Sequence, residues 1–394
     1  MEKVKIILVT TSRADYGILY PLIRKLTKDS YFEVKLIASG SHLSELHGKT
    51  IDNILNDGTN IDYKIDISEE GDSEKDVCNS IAKGIIGFGE AIFSEKPDLI
   101  IILGDRYELW PIAITSIINK IPIAHIHGGE ATFGAIDDVV RNSITKMSTI
   151  HFPTIEQYAK RIIQMGEKPE MVFAVGSLGI DNVFDIPLMD RDELSEFTGI
   201  DFRKNIALMT YHPVTFDEYH QASKQAIEVL NAFLDKDLLV LATMPNMDAG
   251  GNSIYLEIKK FKEKYPDKIY LIKSLGQRAY LSTMKYARLM VGNSSSGIIE
   301  SASFKLPVVN IGDRQSGRMK PGNVIDCICE KASVSNAIDY ALSDEFGGMI
   351  SKMENPYGDG HASERIINIL KSIDFSDKFK LLKKGFYDID YGIN

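Results

Sequence analysis

The segment DLIIILGDRYELWPIAITSIINKIPIAHIHGGE, residues 98–130, contains the pattern that decides the fold. Two continuous apolar runs, DLIIIL (98–103) and PIAHI (122–126), flank a stretch with a helical pattern from Tyr107 to Asn119. Uninterrupted apolar runs are typical of parallel strands that are covered on both faces. A right-handed crossover of this length usually makes its two strands neighbours or leaves one strand between them. The segment therefore predicts a βαβ unit.

Further apolar runs extend this alternation along the chain. They are VKIILV (4–9), FEVKLIA (32–38) and MVFAV (171–175) in the first half, and NIALMT (205–210), LLVLATM (238–244), KIYLI (268–272), ARLMV (287–291) and PVVNI (307–311) in the second. Helical patterns separate the runs, and the polar segment 185–204 divides the two series. The predicted fold class is therefore α/β, with two Rossmann-like, doubly wound parallel-sheet domains that face a cleft.

The length of 394 residues supports this division, because one hydrophobic core rarely serves so long a chain. Residues 1–190 are expected to form an N-terminal domain and residues 200–365 a C-terminal domain. Residues 366–394 are expected to be a tail that packs back on the N-terminal domain. Polar loops follow seven of the predicted strands, which favours a polar ligand that spans both domains.

Composition excludes several classes of protein. The net charge is −10, with 45 Lys and Arg scattered along the chain, so no nucleic-acid partner is expected. The three cysteines contain no CxxC pair, which argues against a disulfide framework or a thiolate zinc site; Cys327 and Cys329 are expected in a strand. The N-terminus lacks signal-peptide features and no run of 18 apolar residues occurs. We expect a cytoplasmic protein without a membrane partner.

The motif HIHGGE, residues 125–130, raises the question of a metal site. A zinc site needs three or four ligands, whereas His125 lies inside the apolar run and is expected in the core. His127 lies at the strand end beside two glycines that allow close approach of a ligand, so it is a candidate for polar contact. No metal is predicted.

Three acidic residues follow the same βαβ unit. Asp105 and Glu130 come directly after its two strands and are expected to point to the same end of the sheet. In GAIDDVVRNSI, Asp137 or Asp138 begins a helix with Arg141 one turn later. Plain helix capping remains the alternative to a role in a site for these two aspartates.

The motif GNSSSGIIE, residues 292–300, is the strongest candidate for an anion site. Backbone N–H groups and the hydroxyls of Ser294, Ser295 and Ser296 precede a helix start, which suits a phosphate. It is not a Walker A loop, and Ser296 stands where a GxSxG nucleophile elbow requires glycine. The alternative is a capping turn with nothing bound. Glu300 could accept hydrogen bonds from ribose hydroxyls or cap a neighbouring group.

Basic side chains that suit phosphate oxygens occur in three other loops. Arg314 and Arg318 follow the strand PVVNI, and guanidinium groups match phosphate geometry in a two-point manner. Arg13 could supply a further charge from the first domain, or form a salt bridge with Asp15 instead. His212, in YHPVT, is a candidate proton donor to a leaving group, with a structural histidine as the alternative.

Together these loops resemble a family, the hydrolysing UDP-N-acetylglucosamine 2-epimerases of sialic acid biosynthesis. The motifs SRADYG, LGDRYE, HIHGGE, IDD with RNSITKMS, GEKP, VGSLGIDN, HPVT, PNMDAG, GNSSSGIIE and INIGDRQSGR occur in that order from about residue 4 to residue 365. The resemblance implies a glycosyltransferase-B-like fold in which the first domain carries the sugar and catalytic loops and the second binds UDP. It also implies a nucleotide-sugar substrate, no cofactor and a homo-oligomer, either dimer or tetramer.

The resemblance further implies a reaction and a set of site residues. The reaction is anti elimination of UDP across C1 and C2 to a 2-acetamidoglucal, followed by hydration, which yields N-acetylmannosamine and UDP. The implied catalytic residues are Asp105, His127, Glu130, Asp137 and His212. The implied substrate-binding residues are Arg13, Arg106, Asn246, Asp248, Ser294, Ser295, Ser296, Gly297, Glu300, Arg314 and Arg318.

Two questions stay open at this point. Many members have glutamate where this chain has His127, so the base at C2 is Asp137, His127 or Glu130. The substrate could also be UDP-N,N′-diacetylbacillosamine of the legionaminic acid pathway. Further rivals are a non-hydrolysing epimerase, a nucleotide-sugar glycosyltransferase, and a nucleotide-binding regulator that turns over no substrate.

Overall fold

The computed structural model describes residues 3–44, 49–69, 71, 73–132, 136–213, 219–245 and 251–389. These residues form two compact units. Unit 1 contains the described chain up to residue 131, residues 136–182 and the chain from residue 357 onwards, and unit 2 contains residue 132 and residues 183–356. None of the helices in these ranges combines the length and the apolar character needed to cross a membrane.

The strands are short and alternate with helices along the chain. They are β1 Val4–Thr10, β2 Phe32–Ser39, β3 Tyr63–Ile65, β4 Leu99–Leu103, β5 Ile123–Ile126, β6 Ile150–Phe152, β7 Ile206–Thr210, β8 Leu239–Thr243, β9 Ile269–Ile272, β10 Leu289–Gly292, β11 Val308–Ile311 and β12 Val324–Cys327.

The α-helices occupy the segments between the strands and after them. They are α1 Arg13–Lys28, α2 Ile51–Asn56, α3 Glu74–Glu95, α4 Leu109–Ile118, α5 Ile136–Met147, α6 Glu156–Gln164, α7 Leu178–Asp185, α8 Arg191–Thr198, α9 Tyr219–Ala232, α10 Gly251–Lys264, α11 Gly276–Tyr286, α12 Ser296–Ile299, α13 Lys331–Ala341, α14 Asp344–Ile350, α15 Ala362–Ser372 and α16 Lys378–Leu382.

The sheet of unit 1 is parallel, with the strand order β3-β2-β1-β4-β5-β6. β4 and β5 are neighbours, with Ile100 opposite Ile123, so the predicted βαβ unit is confirmed. Side chains of β1 alternate between two apolar layers: Ile6 packs in one core cluster and Ile7 in the other. Helices cover both faces, which is why this strand is apolar at nearly every position.

Unit 2 repeats the arrangement with the strand order β12-β11-β10-β7-β8-β9, also parallel. In β7, Ala207 and Met209 pack in one core cluster, whereas Ile206 and Leu208 pack in another. Both sheets therefore have helices on each face, and the predicted fold class of two Rossmann-like, doubly wound domains is confirmed.

Three predictions from the sequence are wrong at the margins of the sheets. MVFAV (171–175) is not a strand; it runs beside β6 and forms one isolated bridge, between Val172 and His151. The short strands β3 and β6 were missed, as was most of β12. Cys327 ends β12, as expected, whereas Cys329 lies beyond the strand, contrary to the prediction. In β3 and β12 the apolar run is interrupted by exposed Lys64 and Asp326, which obscures the strand pattern.

The limits of the units differ from the predicted domain ranges. The change of unit lies between residues 182 and 183, ahead of the polar segment 185–204, and the chain returns to unit 1 at residue 357 rather than at residue 366. Asp181 explains the early return, because its carboxylate accepts hydrogen bonds from the backbone N–H groups of Ala362 (2.9 Å) and Ser363 (2.8 Å) at the start of α15. Such a long-range cap leaves no local signal in the sequence.

The C-terminal segment of unit 1 contributes to a buried ionic cluster around Glu167. Lys384 Nζ lies 2.9 Å from Glu167 Oε2, His151 Nε2 lies 3.1 Å from the same oxygen, and Lys146 forms a further ion pair. Burial raises the pKa of Glu167, but these hydrogen bonds outweigh it and lower the pKa from 4.5 to about 2. The ionised carboxylate is therefore a stabilising group.

We expect Glu167→Gln to lower the free energy of unfolding by about 3 kcal/mol at pH 7. A lowered pKa gives stability that is present above the unfolded value near 4.5 and is lost as the pH falls towards 2, so the difference from wild type should shrink over that interval. Urea unfolding at several pH values measures it. Glu364→Gln, at an exposed ion pair, is the control and should change stability by under about 1 kcal/mol. A pH-independent effect of Glu167→Gln would contradict the assignment.

Candidate functional site

In unit 1 the polar loops follow the carboxyl ends of β4 and β5. His125, inside β5, is fully buried; its Nε2 donates to the Gly104 carbonyl (2.8 Å) and its Nδ1 lies 3.2 Å from Thr145 Oγ1. Burial lowers the pKa of His125 to about 3, so the ring is neutral at physiological pH. His125 is thus a core histidine, as expected, and it links the two loops to helix α5.

Arg141 is the centre of the acidic cluster in unit 1. Its side chain is 2% exposed, and its guanidinium forms an ion pair with Asp105 through Nη2. Nη1 lies 3.3 Å from Asp138 Oδ1 and donates to the Glu130 carbonyl at 2.9 Å. Helix α5 thereby brings together the loops after β4 and β5, as the βαβ unit predicted, with Asp105 bound through its carboxylate and Glu130 through its backbone carbonyl.

Asp137 lies at the start of α5 beside this cluster. Burial raises its pKa above the ordinary value of 3.8, and the nearby charge of Asp105 raises it further, while Arg106 and Arg141 act in the opposite direction. Within the described part of the chain its carboxylate has neither an ion pair nor a hydrogen bond, in contrast to Asp105 and Asp138. A half-buried carboxylate with a raised pKa has the properties of a general base.

His127 and Glu130 lie together in the loop after β5. The backbone of His127 has φ of +64°, in the left-handed region, and the following turn continues through Gly129 with φ of +75°. Both side chains are buried, and His127 Nδ1 lies 3.7 Å from Glu130 Oε1. This close contact keeps both residues in the group of candidate bases.

Arg13 and Arg106 occupy the loops after β1 and β4. Arg13 is exposed at the first position of α1. Asp15, considered above as its partner, belongs instead to a capping box: its carboxylate accepts from the backbone N–H groups of Thr11 and Ser12, each at 2.8 Å. Arg106 donates to Glu108, with Nη2 2.6 Å from Oε1. Both arginines are thus at the carboxyl edge of the sheet.

In unit 2, Asn293 connects three loops. Its Oδ1 accepts from the backbone N–H of His212 (2.7 Å), and its Nδ2 donates to the His212 carbonyl (2.8 Å). Its own carbonyl accepts from Arg314 Nη1 (3.1 Å) and Gln315 Nε2 (2.9 Å). The candidate proton donor and the candidate phosphate-binding arginine are therefore held by one buried asparagine, the first through its side-chain amide and the second through its backbone carbonyl.

The side chain of His212 is buried beside Arg314. Burial lowers its pKa to about 4, and the positive charge of Arg314 contributes to the shift. Without a ligand the imidazole is therefore neutral at pH 7.

The three serines follow β10 and precede α12. Ser294 Oγ lies 2.9 Å from Ser296 Oγ, which in turn lies 2.7 Å from the hydroxyl of Tyr280 on α11. Ser295 is at the N-cap of α12 but its side chain makes no capping hydrogen bond within the described chain, which weakens the capping-turn alternative. Gly297 packs closely on β11: a Cβ atom there would lie 3.2 Å from Val308 Cγ1.

Glu300 is the C-cap residue after α12, and its Oε2 atom is buried. Burial raises the pKa of this carboxyl group to about 7, and Arg318 acts against the shift. The described residues provide no hydrogen-bond partner for Glu300 Oε2 or for Gln315 Oε1, both of which are buried. Buried acceptors without a partner are costly, so a donor from a ligand would stabilise this loop cluster.

Some expectations fall outside this geometry. Asn246 and Asp248 lie outside the described residues. In the described ranges, no group of three or more His, Cys, Asp or Glu side chains could hold a metal ion. No role in a site was predicted from the sequence for Asn293, Gln315 or Tyr280. Asn293 is in the quoted GNSSSG motif and could have been identified there, whereas Tyr280 lies in an ordinary helical pattern that carries no such signal.

Comparison with known proteins supports one family. A family model described as UDP-N-acetylglucosamine 2-epimerase matches residues 24–371. The chain is 36% identical over 389 residues to the polysialic acid biosynthesis protein P7 of Escherichia coli, covering 98% of this chain and 97% of that protein. It is also 36% identical over 369 residues to the hydrolysing UDP-N,N′-diacetylbacillosamine 2-epimerase of Legionella pneumophila, covering 94% and 96%.

The fold has solved counterparts. The UDP-GlcNAc 2-epimerase of Neisseria meningitidis, whose crystal structure contains UDP-GlcNAc, matches with a TM-score of 0.80 at 16% identity, covering 94% of this chain and all of that one. At this identity the match concerns the fold, and it agrees with the predicted glycosyltransferase-B-like class. The sequence matches go further, because they extend over nearly the whole chain. The chain therefore belongs to the UDP-N-acetylglucosamine 2-epimerase family.

Proposed function

We propose that this protein is a hydrolysing 2-epimerase that converts UDP-N-acetylglucosamine and water to N-acetylmannosamine and UDP. The observation that carries the proposal is the state of Asp137, a half-buried carboxylate with a raised pKa beside two carboxylates that already pair with Arg141. Family membership supports the reaction class. Under this proposal the protein acts in the cytoplasm, and its product enters sialic acid biosynthesis.

The first step is anti elimination across C1 and C2 of the sugar. Asp137 takes the C2 proton, the C–H electron pair forms the C1–C2 double bond, and the C1–O bond breaks so that its electron pair leaves on UDP. The C2–H bond has no adjacent carbonyl and is weakly acidic, so the departure of UDP must be well advanced as the proton leaves. A base with a raised pKa suits this demand.

Departure of UDP requires stabilisation of the diphosphate in unit 2. The hydroxyls of Ser294 and Ser296 and the guanidinium of Arg314 would donate to its oxygens, and His212 would donate a proton to the leaving group. Glu300 Oε2, which has no hydrogen-bond partner among the described residues, would accept from a ribose hydroxyl. All of these donors and acceptors lie in the loops of unit 2 described above.

The second step is hydration of the 2-acetamidoglucal. Water adds its oxygen to C1. A proton is delivered to C2 on the face opposite the one from which the original C2 proton was removed, which gives the manno configuration and a free hemiacetal. The step needs neither a metal nor a redox cofactor. A non-hydrolysing relative would instead return UDP to C1, so release of free sugar is the property that separates the two activities.

A second candidate substrate is UDP-N,N′-diacetylbacillosamine. The relative from Legionella pneumophila is named for it, and its identity to this chain equals that of the polysialic acid protein. Both substrates carry the 2-acetamido group and the UDP leaving group that the proposed chemistry requires. They differ at C4 and C6, outside the reacting bonds.

The test is incubation of the protein with each UDP-sugar separately in D2O, with NMR detection of UDP release and of deuterium at C2. Free UDP together with a C2-deuterated manno sugar from the first substrate alone would support the main proposal. Turnover of only the second would move the protein to the diacetylbacillosamine reaction. Retention of a UDP-bound sugar after exchange would contradict hydrolysis, and turnover of neither would contradict both.

We further expect UDP to raise the pKa of His212 from about 4 by about one unit or more, because a nearby diphosphate favours the charged imidazolium. NMR titration of the histidine ring signals with and without UDP measures this shift, and His212→Gln assigns the signal. His125, buried in unit 1, is the control and should not respond. An unchanged pKa for His212 would place it away from the diphosphate.

A further inference from the structure

One buried guanidinium binds several parts of the acidic cluster in unit 1. Arg141 pairs with Asp105, which is 36 residues away in the chain, and with Asp138 on its own helix, and it donates to the carbonyl of Glu130. The arginine side chain is 2% exposed. A charged group so deeply buried is stable only when its partners are ionised and well placed.

We propose that Arg141 is a positioning residue for the elimination step, which binds the Asp105 carboxylate and the Glu130 backbone so that Asp137 faces the C2 proton in its ionised form. This inference rests on the proposed function. It assigns Arg141 a role through Asp105 and Asp137 rather than through contact with the substrate.

The charge arrangement supports the inference. Burial and the charges of Asp105 and Glu108 raise the pKa of Asp137, whereas Arg106 and Arg141 lower it, so Arg141 is one of the charges that set how basic Asp137 is. Because a guanidinium does not lose its proton in a protein, Arg141 is a constant positive charge over the whole range of activity. Its planar group also fixes the direction of the Asp105 carboxylate.

Arg161 provides a matched control. It donates through Nη1 to the Gly129 carbonyl at 3.1 Å, one residue before Glu130, and its guanidinium lies 5.2 Å from the ring centroid of Tyr158. It therefore supports the same loop through a backbone carbonyl, but it forms no ion pair with Asp105 or Asp138 in the described chain. Replacing Arg161 removes only a contact with the loop backbone, whereas replacing Arg141 also removes the ion pairs with Asp105 and Asp138.

The experiment compares Arg141→Met, Arg141→Lys and Arg161→Met in the full-length protein, with kcat, KM and their pH profiles. We expect Arg141→Met to lower kcat by about 100-fold and to move the acid limb of kcat/KM up by about one pH unit. UDP affinity, measured by calorimetry, should stay at the wild-type value. Arg141→Lys restores the charge and should return the acid limb towards wild type. Arg161→Met should leave the acid limb in place.

A second variant keeps the test decisive if Arg141→Met fails to fold. Asp105→Asn removes the negative neighbour of Asp137, so the pKa of Asp137 should fall, opposite to the change expected for Arg141→Met. Carbon-detected NMR titration of the aspartate carboxyl groups, with the Asp137 signal assigned by Asp137→Asn, reads both shifts without turnover. An unmoved Asp137 pKa in Asp105→Asn, or equal shifts in the Arg141 and Arg161 variants, would overturn the inference.

Failure of the proposed function and failure of the role of Arg141 give different results. Absence of wild-type turnover on both UDP-sugars would overturn the proposed function, and with it the catalytic role of Arg141. Wild-type turnover with an unaltered pH profile in Arg141→Met would overturn only the role of Arg141.

Discussion

Asp137→Asn is expected to lower kcat/KM for the UDP-sugar by about 10²–10⁴-fold, the range typical for loss of a general base. Asparagine has nearly the same shape but cannot accept the C2 proton, so the loss concerns chemistry rather than packing. UDP affinity should be unchanged, because the groups proposed to bind UDP lie in the other unit. Steady-state kinetics and calorimetry measure the two quantities.

The pH dependence of activity provides a second test of Asp137 as the base. Burial and the charge of Asp105 raise the pKa of Asp137, and a base acts only when it is deprotonated. Activity should therefore fall, as the pH is lowered, through a pKa above the ordinary carboxyl value of 3.8. Any residual activity of Asp137→Asn should lack this limb.

Asp138→Asn is the matched control, since the two residues are adjacent on α5 but Asp138 already pairs with Arg141. We expect a loss of less than about tenfold for this variant, in line with loss of one partly exposed ion pair. Equal losses in the two variants, or full activity in Asp137→Asn, would assign the base to His127 or Glu130 instead.

Gly292→Ala is expected to lower the free energy of unfolding by about 4 kcal/mol or more, which is among the largest effects of a single substitution. Gly292 ends β10 with φ of +146°, and a Cβ atom there would lie 1.9 Å from the carbonyl oxygen of Thr210 on β7. That oxygen also accepts from the backbone N–H of Asn293 at 3.2 Å. The added methyl group would force apart two central strands and the loops that carry His212 and Ser294.

Gly199→Ala separates steric clash from backbone strain. Gly199 has φ of +72° at the end of α8, but a Cβ atom there would have nothing within 4 Å, so a loss of only about 1 kcal/mol is expected. Denaturant unfolding of both variants measures the difference. Similar stabilities for Gly292→Ala and Gly199→Ala would show that β10 and β7 move apart at little cost, and would contradict the predicted clash with Thr210.

The main strands were predictable from the sequence because their signal is local. A strand covered on both faces is apolar along its length, as in β4 and in β7 up to its last residue, Thr210, so the apolar run itself reveals the strand. At the sheet margins that cause is absent, and β3, with the sequence YKI, was missed.

The candidate site was predictable only in part. Loops after apolar strands identified Asp105, His127, Ser294 and Arg314, because polar residues in those positions collect at the carboxyl edge of a parallel sheet. The dominant partner of Asp105 was not identified. In a helical pattern Arg141 is simply a cation one turn from Asp137 and Asp138, and its pairing with a loop 36 residues earlier depends on how α5 packs.

The sequence by itself determined the α/β class, the alternation of elements and the chemical types present at the strand ends, since these follow from local apolar periodicity and residue identity. Only the tertiary structure decided which of those groups interact. The order of the strands brings Asn293 into contact with His212, which is 81 residues away in the chain. Burial shifts the pKa values of Asp137, His212 and Glu300 away from those of an extended chain. Both effects depend on desolvation and on contacts between distant segments, which exist only once the chain has folded.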